Sequence, residues 1–191
     1  MADTSDFRNG FTMVWNGDIW QIVEFLHVKP GKGGAFVRTK LKNVRNGRVV
    51  DNTFRAGEKV NEARVERRAH QFLYEDDLGL HFMDTETYAQ FSLPPDQVDK
   101  REYIKEGGTI DILFHAETEE PLTTVVPKSV ELEVVRTDPG LKGDTATGAT
   151  KPATLESGAV VNVPLFIDEG DVLRVNTDTG AYVTRVSTVK L

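Results

Sequence analysis

Cysteine is absent from the 191 residues, which excludes a disulfide framework, Cys-ligated zinc or iron–sulfur centres and a thiol nucleophile. Long apolar runs are missing too: no segment reaches the ~18 residues that a membrane-spanning helix needs. The opening Met1-Ala2-Asp3-Thr4-Ser5-Asp6 is acidic and lacks the basic patch and apolar run of a secretion signal. A cytoplasmic location is therefore expected. Histidine is scarce, and His27, His70, His81 and His115 show neither HExxH nor paired-ligand spacing, so structural or surface roles are expected for them. There is no G-x-S-x-G elbow for a nucleophilic serine. The acidic stretches Glu117-Thr118-Glu119-Glu120 and Asp168-Glu169-Gly170-Asp171 lack EF-hand offsets and read as solvated turns. No metal, cofactor or catalytic residue is implied.

What remains describes a folded chain. Hydrophobic residues make up 39%, with 16 Gly and 8 Pro, which is neither disordered nor fibrous composition. The net charge of −7 argues against a polyanionic partner, but its distribution does not. Residues 1–64 hold eleven basic and seven acidic side chains, a balance of +4; residues 65–128 hold six and fourteen, or −8; residues 129–191 hold six and nine, or −3. One cationic end that approaches a polyanion, on an otherwise acidic and soluble body, fits this asymmetry.

Period-2 alternation and β-branched or aromatic runs dominate, punctuated by turn chemistry, so the chain reads as mostly β. Strands are expected over 11–15, 19–28, 35–44 and 48–54, with Asn46-Gly47 supplying a type I′ turn. Further strands are expected over 69–75, 80–83, 88–93, 109–116, 122–126, 130–136, 160–167, 171–176 and 181–186. Pro94-Pro95-Asp96 opens the best helix candidate, 97–106, which stops at Gly107-Gly108. Residues 137–151 read as a long irregular stretch, and Pro121 and Pro127 flank a linker near Lys128. Three modules follow, 1–64, 65–128 and 129–191, each near the lower size limit for an independent core.

Gly31-Lys32-Gly33-Gly34 superficially resembles a phosphate loop but fails the Walker pattern, because Gly follows Lys and a strand follows Gly. What it offers is a lysine at a hairpin apex. Pro30 fixes φ before the bend, and the glycines leave no bulk beside the Lys32 amine. Lys29 precedes the apex. Alternation places Arg38, Lys40 and Lys42 on one face of the return strand, a stripe suited to a phosphate backbone.

Two separate stretches carry a family resemblance. Residues 27–41, from His27-Val28-Lys29-Pro30-Gly31-Lys32-Gly33-Gly34 to Leu41, look like the tip loop of bacterial elongation factor P. Residues 151–170, from Lys151-Pro152-Ala153-Thr154-Leu155 to Asp168-Glu169-Gly170, look like that family's C-terminal signature. The likeness runs from Asp6-Phe7-Arg8 to Tyr182-Val183-Thr184-Arg185. It implies an all-β chain of three small β-barrel domains, SH3/KOW-like then two OB-like, in an elongated tRNA-like outline. It also implies a translation elongation factor that enters the ribosome between the peptidyl and exit tRNA sites. There the tip loop assists peptide-bond formation at consecutive prolines, without bond-making activity of its own.

By the same resemblance, Lys32 is extended by a lysine-modifying enzyme, and peptidyl-tRNA and rRNA are the partners of a monomeric protein. Gly143-Asp144-Thr145 matches a loop near the exit-site codon, and Tyr182 with Arg185 matches a pair near the small subunit. Three other readings stay open. One is a paralogue of that family with a different task. Another is a generic OB-type RNA-binding protein, whose basic stacking face the acidic last two thirds do not supply. The third is an enzyme using Lys32 as a Schiff-base amine, for which an exposed apex is a poor environment.

Overall fold

A computed structural model describes residues 1–140 and 148–187. Among the described residues the regular structure consists of sixteen strands in three sheets and a few short 3-10 turns. The first sheet contains β1 (Ala2–Asp3), β2 (Thr12–Trp15), β3 (Asp18–Val28), β4 (Phe36–Asn43), β5 (Val49–Arg55) and β6 (Lys59–Glu62), in the order β1-β6-β2-β3-β4-β5. The second contains β7 (Val65–Asp76), β8 (Gly79–Asp84), β9 (Gln90–Leu93), β10 (Thr109–His115) and β11 (Glu120–Val125), ordered β11-β10-β7-β8-β9. The third contains β12 (Ser129–Thr137), β13 (Thr150–Leu155), β14 (Val160–Pro164), β15 (Val172–Asn176) and β16 (Ala181–Ser187), ordered β14-β13-β12-β15-β16.

The chain packs as two compact units. One comprises Met1–Ala69, Leu93–Asp99 and Asp111–Thr124; the other comprises His70–Ser92, Lys100–Ile110 and the residues from Val125 onward. The core of the first sheet gathers Phe7, Phe11, Met13, Ile22, Leu41 and Phe54. Phe7 meets the Phe54 ring edge-on at 5.3 Å, a preferred aromatic geometry. A smaller cluster of Ile19, Ala63 and Leu122, with Val44, Val65 and Leu113, completes this unit. In the other unit, alternate residues of the third sheet, among them Leu132, Val134, Leu155, Val163 and Leu173, close a second core. Alternation is clearest in β4, β10 and β14, which bury every second residue, as period 2 demands.

Three sequence expectations are corrected. The helix over 97–106 does not form. Two 3-10 turns, Pro95–Gln97 and Arg101–Tyr103, flank a break at Lys100, whose φ of 54° is left-handed. Val98 and Ile104 are extended and buried, so packing of these two side chains overrides a weak local preference.

The type I′ turn lies elsewhere. Asn16 and Gly17 carry the two positive φ values, 50° and 80°, and Trp15 pairs with Asp18 across them. At 43–48 only Gly47 has positive φ. The Asn43 side chain accepts from the N–H groups of Arg45 and Asn46, which builds a wider turn.

Finally, the stretch over 137–151 ends inside a strand, β13. Pro152 sits in that strand without cost. Its carbonyl accepts from the Thr137 hydroxyl, so its nitrogen faces the β12 side, beyond the last pair Thr137↔Ala153. No N–H is needed there.

Candidate functional site

The candidate site grows from β3 and β4, which pair antiparallel out to Val28↔Phe36. Beyond that pair, residues 29–35 turn with no ladder of their own. Val37 and Leu41 are fully buried and pack the inner face of β4 into the core. Toward its end β3 is open on both faces: residues 24–27 are all exposed, Leu26 to 60%. At the apex Gly33 has φ of +107°, which an L side chain rarely adopts, and a Cβ on Gly31 or Gly34 would meet nothing within 4 Å. Lys32 is exposed, and among the described residues neither it nor Lys29 forms an ion pair. The result is a cation standing free on a bend that glycine alone makes readily.

A bulge shapes the finger. The β3–β4 register shifts between Ile22 and Glu24, and such an extra residue twists and re-aims a strand. As expected from alternation, Arg38 and Lys42 are exposed and Lys40 is half-exposed, while Val37, Thr39, Leu41 and Asn43 are buried. The stripe is not uniformly cationic, however. Lys40 Nζ lies 3.4 Å from Glu24 Oε2 and is registered opposite Asp51 on β5. Arg38 has no acidic partner among the described residues, and its guanidinium carbon lies 5.5 Å from the Phe36 ring centroid. Glu24 and Asp51 carry no signal in a one-strand pattern; their effect comes from pairing across strands.

The base of the finger is held by Arg45. Its Nε donates to Asp18 Oδ1 at 3.1 Å and it reaches Glu120 Oε2 on β11 at 2.9 Å. Glu120 and Asp18 together hold the Arg45 pKa above its ordinary value, the hydrogen bond to Glu120 being the main cause. Asn43 Nδ2 donates to Asp18 Oδ2 at 2.7 Å, which ties the β2–β3 and β4–β5 turns into one polar knot.

The other predicted residues sit on the third sheet or outside the described residues. Gly143, Asp144 and Thr145 lie outside the described residues. Tyr182 and Arg185 are both on β16. Tyr182 packs against the third-sheet core. Arg185 reaches the buried Asp171 at 3.3 Å and stands over the Phe166 ring at 5.2 Å, so part of its guanidinium is already engaged. Among the described residues no group of three or more His, Asp or Glu stands close enough to hold a metal ion, and no helix is long and apolar enough to cross a membrane.

Comparison with known proteins covers nearly all of this architecture. Three family models match in order: the elongation factor P KOW-like domain over residues 3–60, the elongation factor P OB domain over 65–123, and the elongation factor P C-terminal model over 130–185. The chain is 70% identical over 187 residues to an elongation factor P of Salinibacter ruber, covering 98% of this chain and 97% of that protein. It is 56% identical to the elongation factor P of Moorella thermoacetica, covering 97% of this chain and 100% of that protein. Among solved structures, a eukaryotic translation initiation factor 5A from Methanococcus jannaschii superimposes with a TM-score of 0.53 at 22% identity, covering 65% of this chain and 92% of that one. That last likeness is one of fold.

Proposed function

Because the chain belongs to the elongation factor P family, and is thus a translation elongation factor of a non-catalytic kind, we propose that it acts on the ribosome between the peptidyl and exit tRNA sites. There it promotes peptide-bond formation at consecutive prolines by positioning peptidyl-tRNA through Lys32. The observation that carries this reading is the solitary, exposed Lys32 at the end of a β finger whose base is packed and knotted. A firm base and a free tip deliver a charge to a distance without a pocket of its own.

The chemistry fits the task. Proline's ring fixes φ and its nitrogen is a crowded secondary amine, so a Pro-Pro junction misplaces nucleophile and ester. Holding the tRNA end in a near-attack geometry removes part of an entropic barrier, and each ~1.4 kcal/mol recovered is tenfold in rate. An amine at the apex supplies such positioning by hydrogen bonds to ribose or phosphate. Free access on every side also suits a modifying enzyme, and Lys32 is read as carrying an amine-bearing extension. Tyr182 and Arg185, with Gly143-Asp144-Thr145, are read as facing the small subunit and exit codon. The three modules meet at 64/65 and 128/129, and the protein works as a cytoplasmic monomer.

The test is a Pro-Pro-Pro reporter translated with Lys32→Ala. Pausing is expected to return to the level without the factor, while the thermal unfolding midpoint stays unchanged; normal read-through by that variant defeats the reading. The intact mass of protein from its own host tests the modification separately, an unmodified mass with full activity being the contrary result.

A further inference from the structure

We propose that Arg38 and Arg55 together form the RNA-phosphate contact on the outer face of the first sheet, and that Lys40, although central in the cationic stripe, takes no part in it. This rests on the ribosomal reading above, which supplies the RNA, and deepens it by naming which cations meet the phosphates.

Residues directly opposed in an antiparallel sheet share a face, so the outer face can be read row by row. The Lys40 row holds Glu24 on β3 and Asp51 on β5. Two carboxylates flank one ammonium, which Glu24 already engages at 3.4 Å, so an approaching phosphate meets a local charge of −1. The neighbouring row holds Leu26, Arg38 and Thr53 and contains no acid. The next pairs Phe36 with Arg55. Arg55 is exposed whereas Phe54 is buried, so its side chain leaves on the same face as Arg38. Neither guanidinium forms an ion pair among the described residues.

Arg38 and Arg55 are diagonal neighbours, a spacing of about 7–8 Å. That lets two forked guanidinium groups take one phosphate or two successive ones bidentately. Phe36 adjoins both, opposite Arg55 and two residues before Arg38, and its ring holds the Arg38 guanidinium by a cation–π contact at 5.5 Å. Exposed Leu26 borders a shallow groove of about 470 Å³ that runs from the Arg38 row into the Lys40 row, where Glu24 and Asp51 also line it; at the Arg38 end it offers an apolar edge to a ribose. Charge complementarity favours a polyanion on this face: its tip-ward rows hold two arginines without an ion pair among the described residues and no acid, and the neighbouring Glu58 carboxylate is engaged by the Arg55 backbone N–H at 2.8 Å. The pattern of one strand cannot show this, because Arg55 belongs to the neighbouring one and the neutralising acids come from both sides.

The test measures binding of the full chain to 70S ribosomes, with and without a tRNA in the peptidyl site, between ~50 and ~200 mM salt. Removing one cation that neutralises a phosphate lowers the slope of log affinity against log salt by about 0.7–0.9. Arg55→Ala is expected to weaken binding and to make its salt-induced loss about threefold smaller, with Arg55→Lys keeping most of the slope. The charge-neutral double variant Glu24→Gln with Lys40→Met is expected to leave the slope unchanged. An Arg55 effect confined to tRNA-loaded ribosomes assigns the phosphates to tRNA; an effect on both kinds assigns them to rRNA, and either supports the proposed pair. An unchanged slope in Arg55→Ala, or a slope lowered by the equivalent of about one phosphate in the double variant, overturns it. Should the unaltered protein show no salt-dependent binding at all, it is the ribosomal reading itself that fails.

Discussion

Two lysines show how differently the two units use the same residue. Lys32 stands at the apex of the β3–β4 finger, exposed, with no ion pair among the described residues. Lys151 lies in β13 of the third sheet, 7% exposed, its ammonium donating at 2.6 Å to the carbonyl of Asp138. In the first case the backbone recedes, since glycines flank the side chain and nothing covers it. In the second the stem is buried and a main-chain oxygen accepts from the ammonium. A cation left alone by its neighbours is available to another molecule; one whose donors are taken serves the fold. Arg185 stands between the two, with Asp171 on one side, Phe166 beneath it and part of its guanidinium in solvent.

That contrast breaks most sharply on substitution. Lys151→Ala removes a buried stem and strips the Asp138 carbonyl of its donor, so a destabilisation of about 1–3 kcal/mol is expected. Lys32→Ala should change stability by less than about 0.5 kcal/mol while abolishing relief of pausing. Chemical denaturation of the two variants, beside the Pro-Pro-Pro reporter, reads both effects. Equal stabilities would show that burial of Lys151 contributes nothing.

Arg185→Ala is expected to fall between, at about 1–2 kcal/mol, because Asp171 keeps its bond from the Asp168 N–H at 3.0 Å but loses its cation. Changing both residues, as Asp171→Asn with Arg185→Ala, should recover part of that loss, since no buried charge is then left unpaired. A double variant no more stable than Arg185→Ala would deny the coupling. Activity of the recovered double variant then tells whether the free half of the guanidinium also meets the ribosome.

How much of this is legible in the sequence follows the same line. Most strand positions, the buried face of β4 and the lone apical lysine rest on period 2 and on glycine's freedom, both local, and they appear where alternation places them; β1 and β6 have no counterpart among the expected strands, and the strand expected over 160–167 ends at Pro164. The expectations that fail depend on partners distant in sequence. Nothing within residues 97–106 announces that Val98 and Ile104 will be buried in extended conformation. Nothing near Asn46-Gly47 announces that Asn43 will cap the turn instead. Pro152 hides β13, because its missing N–H matters only if β12 extends past it. Lys151 reads as an ordinary cation in a signature stretch, and its burial is a property of the sheet. The neutralisation of Lys40 and the presence of Arg55 beside Arg38 likewise arise from strand pairing.

A smaller effect sharpens the comparison at the base of the finger. Arg45 joins Asp18 and Glu120 while about a quarter exposed. A double-mutant cycle of Arg45→Ala and Glu120→Ala is expected to give a coupling of about 0.2–1 kcal/mol, read by denaturant unfolding. A coupling of zero would mean that the apolar cluster of Ile19, Ala63 and Leu122 holds that junction without help.

The smallest expected change is one of pH. Asp84 closes the turn after β8 by accepting from the N–H groups of Thr87 and Glu86, both at 2.8 Å. These bonds hold its pKa below the usual carboxylate value, as does, for Asp178, the hydrogen bond from Lys100. A depressed folded-state value means that the contribution is present above the unfolded pKa and is lost as pH falls through the depressed one. The second unit, which holds both carboxylates, should therefore weaken in acid. The finger tip should not, because neither Lys32 nor Lys29 forms an ion pair with a carboxylate among the described residues. Amide hydrogen exchange measured from neutral pH down to about 3, after correction for the intrinsic rate, should show loss of protection at Glu86 and Thr87 and none at the N–H groups of Val37 and Leu41. Protection at 86 and 87 that persists in Asp84→Asn would mean that the charge of this carboxylate is not what orders the turn.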